Sequence, residues 1–285
     1  MTATTRTITG QTEPFRRAAP PDSWNGSTPA TQILVLTMRS LRALVIDPRM
    51  LLISMLGPLL MLVVFGQIFA GMAHAPGFPP HMRYIDFLVP AIMMTTALQS
   101  ALNTATGLIQ EMKSGIISRF LSLPIWPGSV LLARSLADLT RTSLQLSFLV
   151  LISFLAFGFT PPGGVVGTFA ALGMALIVGG CLGWIFIALA CHVRRVEVMQ
   201  GIAGLVTFPL MFASNAFAPV SGLPPWLRAV ASVNPMTYGI DTARNLTLGR
   251  PVGGSAISAI SISLAIVVVS VLLAVSGFRR AGAPR

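Results

Sequence analysis

The only lysine of the chain, Lys113, stands in a short polar interruption between two long apolar runs, Glu111-Met-Lys-Ser-Gly-Ile-Ile-Ser-Arg-Phe-Leu-Ser-Leu-Pro124. On a helical wheel, Glu111, Ser114, Gly115, Ser118, Arg119 and Ser122 share one arc, and Met112, Ile116, Ile117, Phe120, Leu121 and Leu123 the other. Pro124 and Pro127 close the stretch. These residue types make and break no covalent bonds. They offer charges and small side chains to a partner while the opposite arc packs on something apolar. Such a segment belongs at a membrane surface, and two readings stand: a foot gripped by another protein, or a helix that covers lipid headgroups.

Other polar positions invite the same question. Thr96, Gln99, Asn103 and Thr106 fall on one face of an apolar helix. In a membrane they must face protein or water, either as a substrate path or as contacts between helices. Arg134, Asp138 and Arg141 are spaced so that Asp138 can pair with both arginines. Further on, Pro224, Trp226, Asn234, Pro235, Tyr238, Asp241 and Arg244 lie in a segment with two helix starts. Asn234 caps the second start and Pro235 stands in its first turn. Trp226 and Tyr238 are residues of membrane interfaces, and Asp241 and Arg244 form an i, i+3 pair.

Catalytic constellations are missing. A phosphate-binding loop of the Walker type needs Gly-Lys-Ser/Thr, and here the single lysine follows Met112. There is no His-Glu-x-x-His and no Gly-x-Ser-x-Gly. Gly253-Gly-Ser255 matches an intramembrane serine-protease motif weakly, but His192 and Ser255 fall on opposite sides of the expected membrane. His74, His81 and His192 are scattered, so neither a metal site nor a triad is expected. Cys181 and Cys191 are about 15 Å apart along one helix, too far for a disulfide.

These positions need elements to hold them, and composition says which. Of 285 residues, 54% are hydrophobic and 9% charged, with mean hydropathy +0.79. A soluble domain carries about 25% charged residues, so this is an integral membrane protein. The net charge of +11 does not mean nucleic-acid binding, because the arginines flank apolar spans. Six stretches of roughly the length needed to cross a bilayer are expected at about 51–70, 85–109, 142–159, 165–190, 201–217 and 257–278. Pro209 interrupts the fifth. The fold class is therefore all-α, with six transmembrane helices in a domain over 31–280, and the 111–123 stretch between the second and third. Residues 1–30 read as a disordered cytosolic tail and 281–285 as a second tail. Ile33 to Ile46 reads as an N-terminal interfacial helix ended by Asp47-Pro48. With the N-terminus inside, 15 of the 19 basic residues lie on the inner side, and Arg83, Arg228, Arg244 and Arg250 lie outside. Both termini are then cytosolic.

In order and spacing, three segments resemble the permease subunit of type-2 ABC transporters, in the daunorubicin- and doxorubicin-resistance branch. They are Asp47-Pro48 with the span that carries Pro58, then Glu111 to Ile125, then Leu223-Pro-x-Trp226 through Asn234-Pro-Met-Thr-Tyr-Gly-Ile-Asp-x-x-Arg244. The resemblance covers about residues 33 to 280. It implies an exporter in the plasma membrane, without an ATPase site of its own and with no cofactor in this chain. ATP and magnesium would be bound by a separate ATPase subunit. It further implies pairing with a second copy or a sister permease. Residues 111–123 would be the coupling helix, with Glu111, Lys113, Gly115, Arg119, Phe120, Leu123 and Pro124 as its contact and boundary residues. The segment before the last span would be a short re-entrant element of the outer side. The expected cargo is a hydrophobic or amphipathic small molecule, a drug or lipid-like product. A permease for a lipid-linked polysaccharide shares the architecture, although the two tyrosines and the polar 96–106 face tilt toward small molecules. An intramembrane enzyme would need clustered catalytic groups, and a passive structural or channel protein would need no ATPase at all.

Overall fold

A computed structural model of the chain describes residues 28–46, 48–71, 82–115, 127–217 and 219–281. The regular elements among the described residues are helices: α1 (Pro29–Ile46), α2 (Pro48–Ile68), α3 (Tyr84–Lys113), α4 (Pro127–Phe157), α5 (Gly164–Val193), α6 (Val196–Phe212), α7 (Pro225–Val233), α8 (Pro235–Thr247) and α9 (Gly253–Ala281), with one 3-10 turn at Val220–Gly222. Most of the expected tail, residues 1–27 and 282–285, lies outside the described residues, and Pro29 and Ala30 already belong to α1.

Five described helices are long and apolar enough to cross a membrane: α2, α3, α4, α5 and α9. The expected fifth span differs. It starts earlier, at Val196, and ends at Phe212 instead of Phe217. Its 17 residues rise about 25 Å, at the short limit for a span. The stop is held by a residue distant in sequence. Asn234 Nδ2 donates to the carbonyls of Leu210 (2.7 Å) and Ala213 (2.9 Å), which takes up acceptors that a helix end leaves open. The expected third span also differs, because α4 begins at Pro127. Arg134, Asp138 and Arg141, ahead of the expected start at 142 or at its edge, therefore lie within the same 31-residue rod.

The bundle centres on α3 and α5. Their apolar windows are 83% and 67% buried, whereas those of α2 and α9 are 11% and 17% buried. Exposed Leu52, Ile53, Leu56, Leu264, Val268 and Leu272 on the outer helices suit acyl chains, not water. Small residues let the central pair approach: Gly179 faces Ala97 and Gly183 faces Ala101. The link between α4 and α5 is pinned from outside, since Gly163 N–H donates to Thr247 O at 2.8 Å. Helix α1 lies along α4, with Thr37 Oγ1 donating to Ala133 O at 3.4 Å, and leaves Leu34, Val35 and Met38 exposed.

Candidate functional site

The helices place the polar residues in three groups. The first is at the foot of α3. The helix runs on through Glu111 to Lys113, and Ser114 N–H closes the last turn on Gln110 O at 2.9 Å. Gly115 then takes φ +76°, the left-handed backbone that ends helices and suits glycine. The expectation of one amphipathic helix from Glu111 onward is thus corrected. Glu111 and Lys113 are the last turn of a span, and Gly115 is the break after it. Arg119, Phe120, Leu123 and Pro124 lie outside the described residues. Glu111 Oε2 sits 2.5 Å from Arg134 Nη1, and Arg134 Nε donates to Thr104 O at 3.1 Å. The spacing that lets Asp138 pair with Arg134 and Arg141 does not produce a direct ion pair among the described residues. Instead Asp138 accepts from Ser100 Oγ at 3.1 Å, and Ser100 accepts from Thr142 at 2.6 Å. Arg134 is drawn away because α3 offers it a carboxylate and a carbonyl.

The second group lines a groove of about 680 Å³ between α2, α3 and α6, with Gln145 of α4 at its back. All four residues of the expected polar face border it: Thr96, Gln99, Asn103 and Thr106. Two of them satisfy their hydroxyls on their own helix, Thr96 on Ile92 O (2.7 Å) and Thr106 on Asn103 O (3.0 Å). Gln99 and Asn103 are exposed to the groove. Sequence reasoning missed Ser54, Thr95, Ser100, Gln145, Gln200 and Thr207, which complete the polar lining. Gln145 donates to Ser54, tying α4 to α2. The signal was available: Gln145 and Gln200 are lone amides in apolar helices.

The third group fastens α8 to the spans. Asn234 accepts from Met236 N–H at 3.0 Å and so caps α8, while its amide closes α6. Arg244 is buried. It donates to Phe87 O from Nε (3.3 Å) and Nη2 (3.2 Å) and to Asn215 O (3.0 Å), and its guanidinium lies 3.5 Å from the centre of the Phe87 ring. Asp241 lies 3.6 Å from Arg244 and accepts from Asn215. Burial pushes the Asp241 carboxyl up, against the pull of Arg244 and Asn215. Burial lowers Arg244 to about 10, still charged at neutral pH. Tyr238 Oη donates to Ser232 O at 2.6 Å, which closes the corner between α7 and α8. Pro224 and Pro225 open α7, and Trp226 stands out from it, 69% exposed.

The helices thus enclose a polar groove among apolar candidate spans, and family comparison says what kind of chain this is. The family model for ABC-2 type transporters matches residues 31–248, more than half of the chain. The chain belongs to the ABC-2 type transporter family. It is 29% identical over 223 residues to the daunorubicin resistance ABC transporter permease protein DrrB1 of Streptomyces coeruleorubidus, covering 78% of this chain and 77% of the relative. It is 25% identical over 224 residues to a protein named "Probable doxorubicin resistance ABC transporter permease protein DrrC" of Mycobacterium tuberculosis, with 79% of each chain covered. It is also 30% identical over 201 residues to a protein named "Putative transport permease ycf38" of Pyropia yezoensis, over 70% of this chain and 68% of the relative. As an ABC-2 type transporter permease it is a multi-pass membrane transport protein, which bears out the resemblance read from the three segments.

Proposed function

We propose that the chain is the membrane-spanning half of an ATP-driven exporter for hydrophobic or amphipathic small molecules. A separate ATPase subunit would bind ATP and magnesium and power the cycle. The groove carries this reading: amides and hydroxyls from α2, α3, α4 and α6 border one space inside an otherwise apolar bundle. Helix–helix contacts alone would pair those groups, yet Gln99 and Asn103 stay exposed. The printed names of two relatives, daunorubicin and doxorubicin resistance permeases, support a drug-like cargo.

In this reading α6 is a sixth, short span, and both termini are cytosolic by the bias of basic residues. Segment 111–123 is the contact to the ATPase, and α7 with α8 is a re-entrant element of the outer leaflet. A second copy or sister permease completes the transporter in the plasma membrane. Closure of the ATPase would push on the foot of α3, and the Glu111–Arg134 pair would carry that push into α4. Co-expression with a candidate ABC ATPase subunit from the same genome, followed by affinity capture of the permease, tests the assignment. The two should co-purify, and dye efflux should need both. Efflux unchanged by deleting the ATPase would refute it.

A further inference from the structure

The same groove has a property that the drug-resistance reading does not supply: among the described residues no charged side chain lines it. We infer that it takes an uncharged, hydrogen-bonding amphiphile and discriminates against organic cations. This rests on the groove being the transport path.

Gln99 lies halfway along the 30-residue α3, about 22 Å from either end. Asn103 follows one turn later. Both are exposed, and Gln200 of α6 is exposed on the other side of the groove. Among the described residues none of these three side-chain amides has a protein hydrogen-bond partner. Thr207, 7% exposed, also borders the groove, and its Oγ1 is buried without a partner. A hydroxyl stripped of water and left unpaired, as at Thr207, is costly, and the three exposed amides beside it are open to a solute that enters the groove. A carboxamide both donates and accepts. These three amides and the Thr207 hydroxyl match hydroxyls, carbonyls and amides on a solute, while Phe208 and Met211 give its body an adaptable apolar wall.

A cation would find no counter-charge there. Asp138 lies behind Ser100 and is hydrogen-bonded by it, and Glu197, one turn before Gln200 on α6, is not among the lining residues. Asp138 shares its helix with Arg134 four residues before and Arg141 three residues after. Glu111 is taken by Arg134. A cation moved from water to mid-bilayer would lose its hydration and gain only dipoles.

The test uses the full-length permease in lipid nanodiscs and two forms of one dye: dansylcadaverine, whose alkyl amine is protonated near neutral pH, and its N-acetyl derivative, which is neutral. Saturable binding above empty nanodiscs should be at least about tenfold tighter for the acetylated form, or about 1.4 kcal/mol. Gln99→Glu should narrow or reverse that order, and Gln99→Leu should weaken the acetylated form without favouring the amine. Asn103→Asp serves as a second charge-adding variant if Gln99→Glu fails to fold. Equal or tighter binding of the amine to the natural protein would overturn the inference. So would no saturable binding of either form, or an order untouched by both charge-adding variants. Binding needs no ATPase, so the exporter assignment can fail in the co-purification experiment while this one succeeds, and the reverse.

Discussion

Arg134 reaches from α4 to the last turn of α3, where its Nη1 lies 2.5 Å from Glu111 Oε2. The two helices are thereby tied just before Gly115 breaks the chain, next to the segment proposed to meet the ATPase. Glu111 is 41% exposed at its side chain, so solvent screens the pair and its stability worth is at most about 1 kcal/mol. Its value would be mechanical.

Glu111→Gln and Arg134→Gln should therefore shift Tm little, yet lower cargo moved per ATP hydrolysed by several-fold. The exchanged pair, Glu111→Arg with Arg134→Glu, should recover part of that loss. Parallel transport and ATPase assays on reconstituted complexes read the ratio. A ratio equal to that of the natural protein in both single variants contradicts the role.

The Arg244 anchor behaves differently, because its head is enclosed by Phe87 and Asn215. Arg244→Ala removes the donors to two buried carbonyls and a stacked cation, and should cost about 3–5 kcal/mol. Arg244→Lys should rescue little, since an ammonium cannot fork and stack as a guanidinium does. Asp241→Asn keeps an acceptor for Asn215 and should be mild. Yield of monodisperse protein by fluorescence-detected size exclusion should rank natural and Asp241→Asn well above the two Arg244 variants.

One helix supplies its own control for packing. A Cβ on Gly179 would overlap the Cβ of Ala97, whereas one on Gly173, in the same α5, would meet nothing within 4 Å. Gly179→Ala should destabilise by about 1–3 kcal/mol. Gly173→Ala should be neutral or stabilising by up to about 1 kcal/mol through helix propensity. Thermal unfolding in one detergent compares them, and equal Tm values would refute the close α3–α5 contact.

Much of this architecture could be read from the residues. Long apolar runs fix α2, α3, α5 and α9 because hydrocarbon admits little else. Asn234-Pro235 announces the start of α8, since a side-chain acceptor ahead of a proline suits a helix opening. The 96–106 face was legible by helical spacing, and all four of its residues border the groove. Tertiary facts were not legible. Gln200 and Ser54 join the groove only because α2 and α6 stand beside α3. Arg134 prefers Glu111, 23 positions earlier in the chain, to its helical neighbour Asp138. The end of α6 at Phe212 depends on an amide from Asn234, and local propensity carries no trace of it.

The most direct trial of the central claim, that the foot after α3 faces the cytosol and seats an ATPase, is accessibility at Ser114. With Cys181 and Cys191 replaced, a Ser114→Cys variant should react with a membrane-impermeant maleimide in inside-out vesicles and not in intact cells, and bound ATPase subunit should slow the reaction. Labelling of that cysteine from outside intact cells would contradict the account.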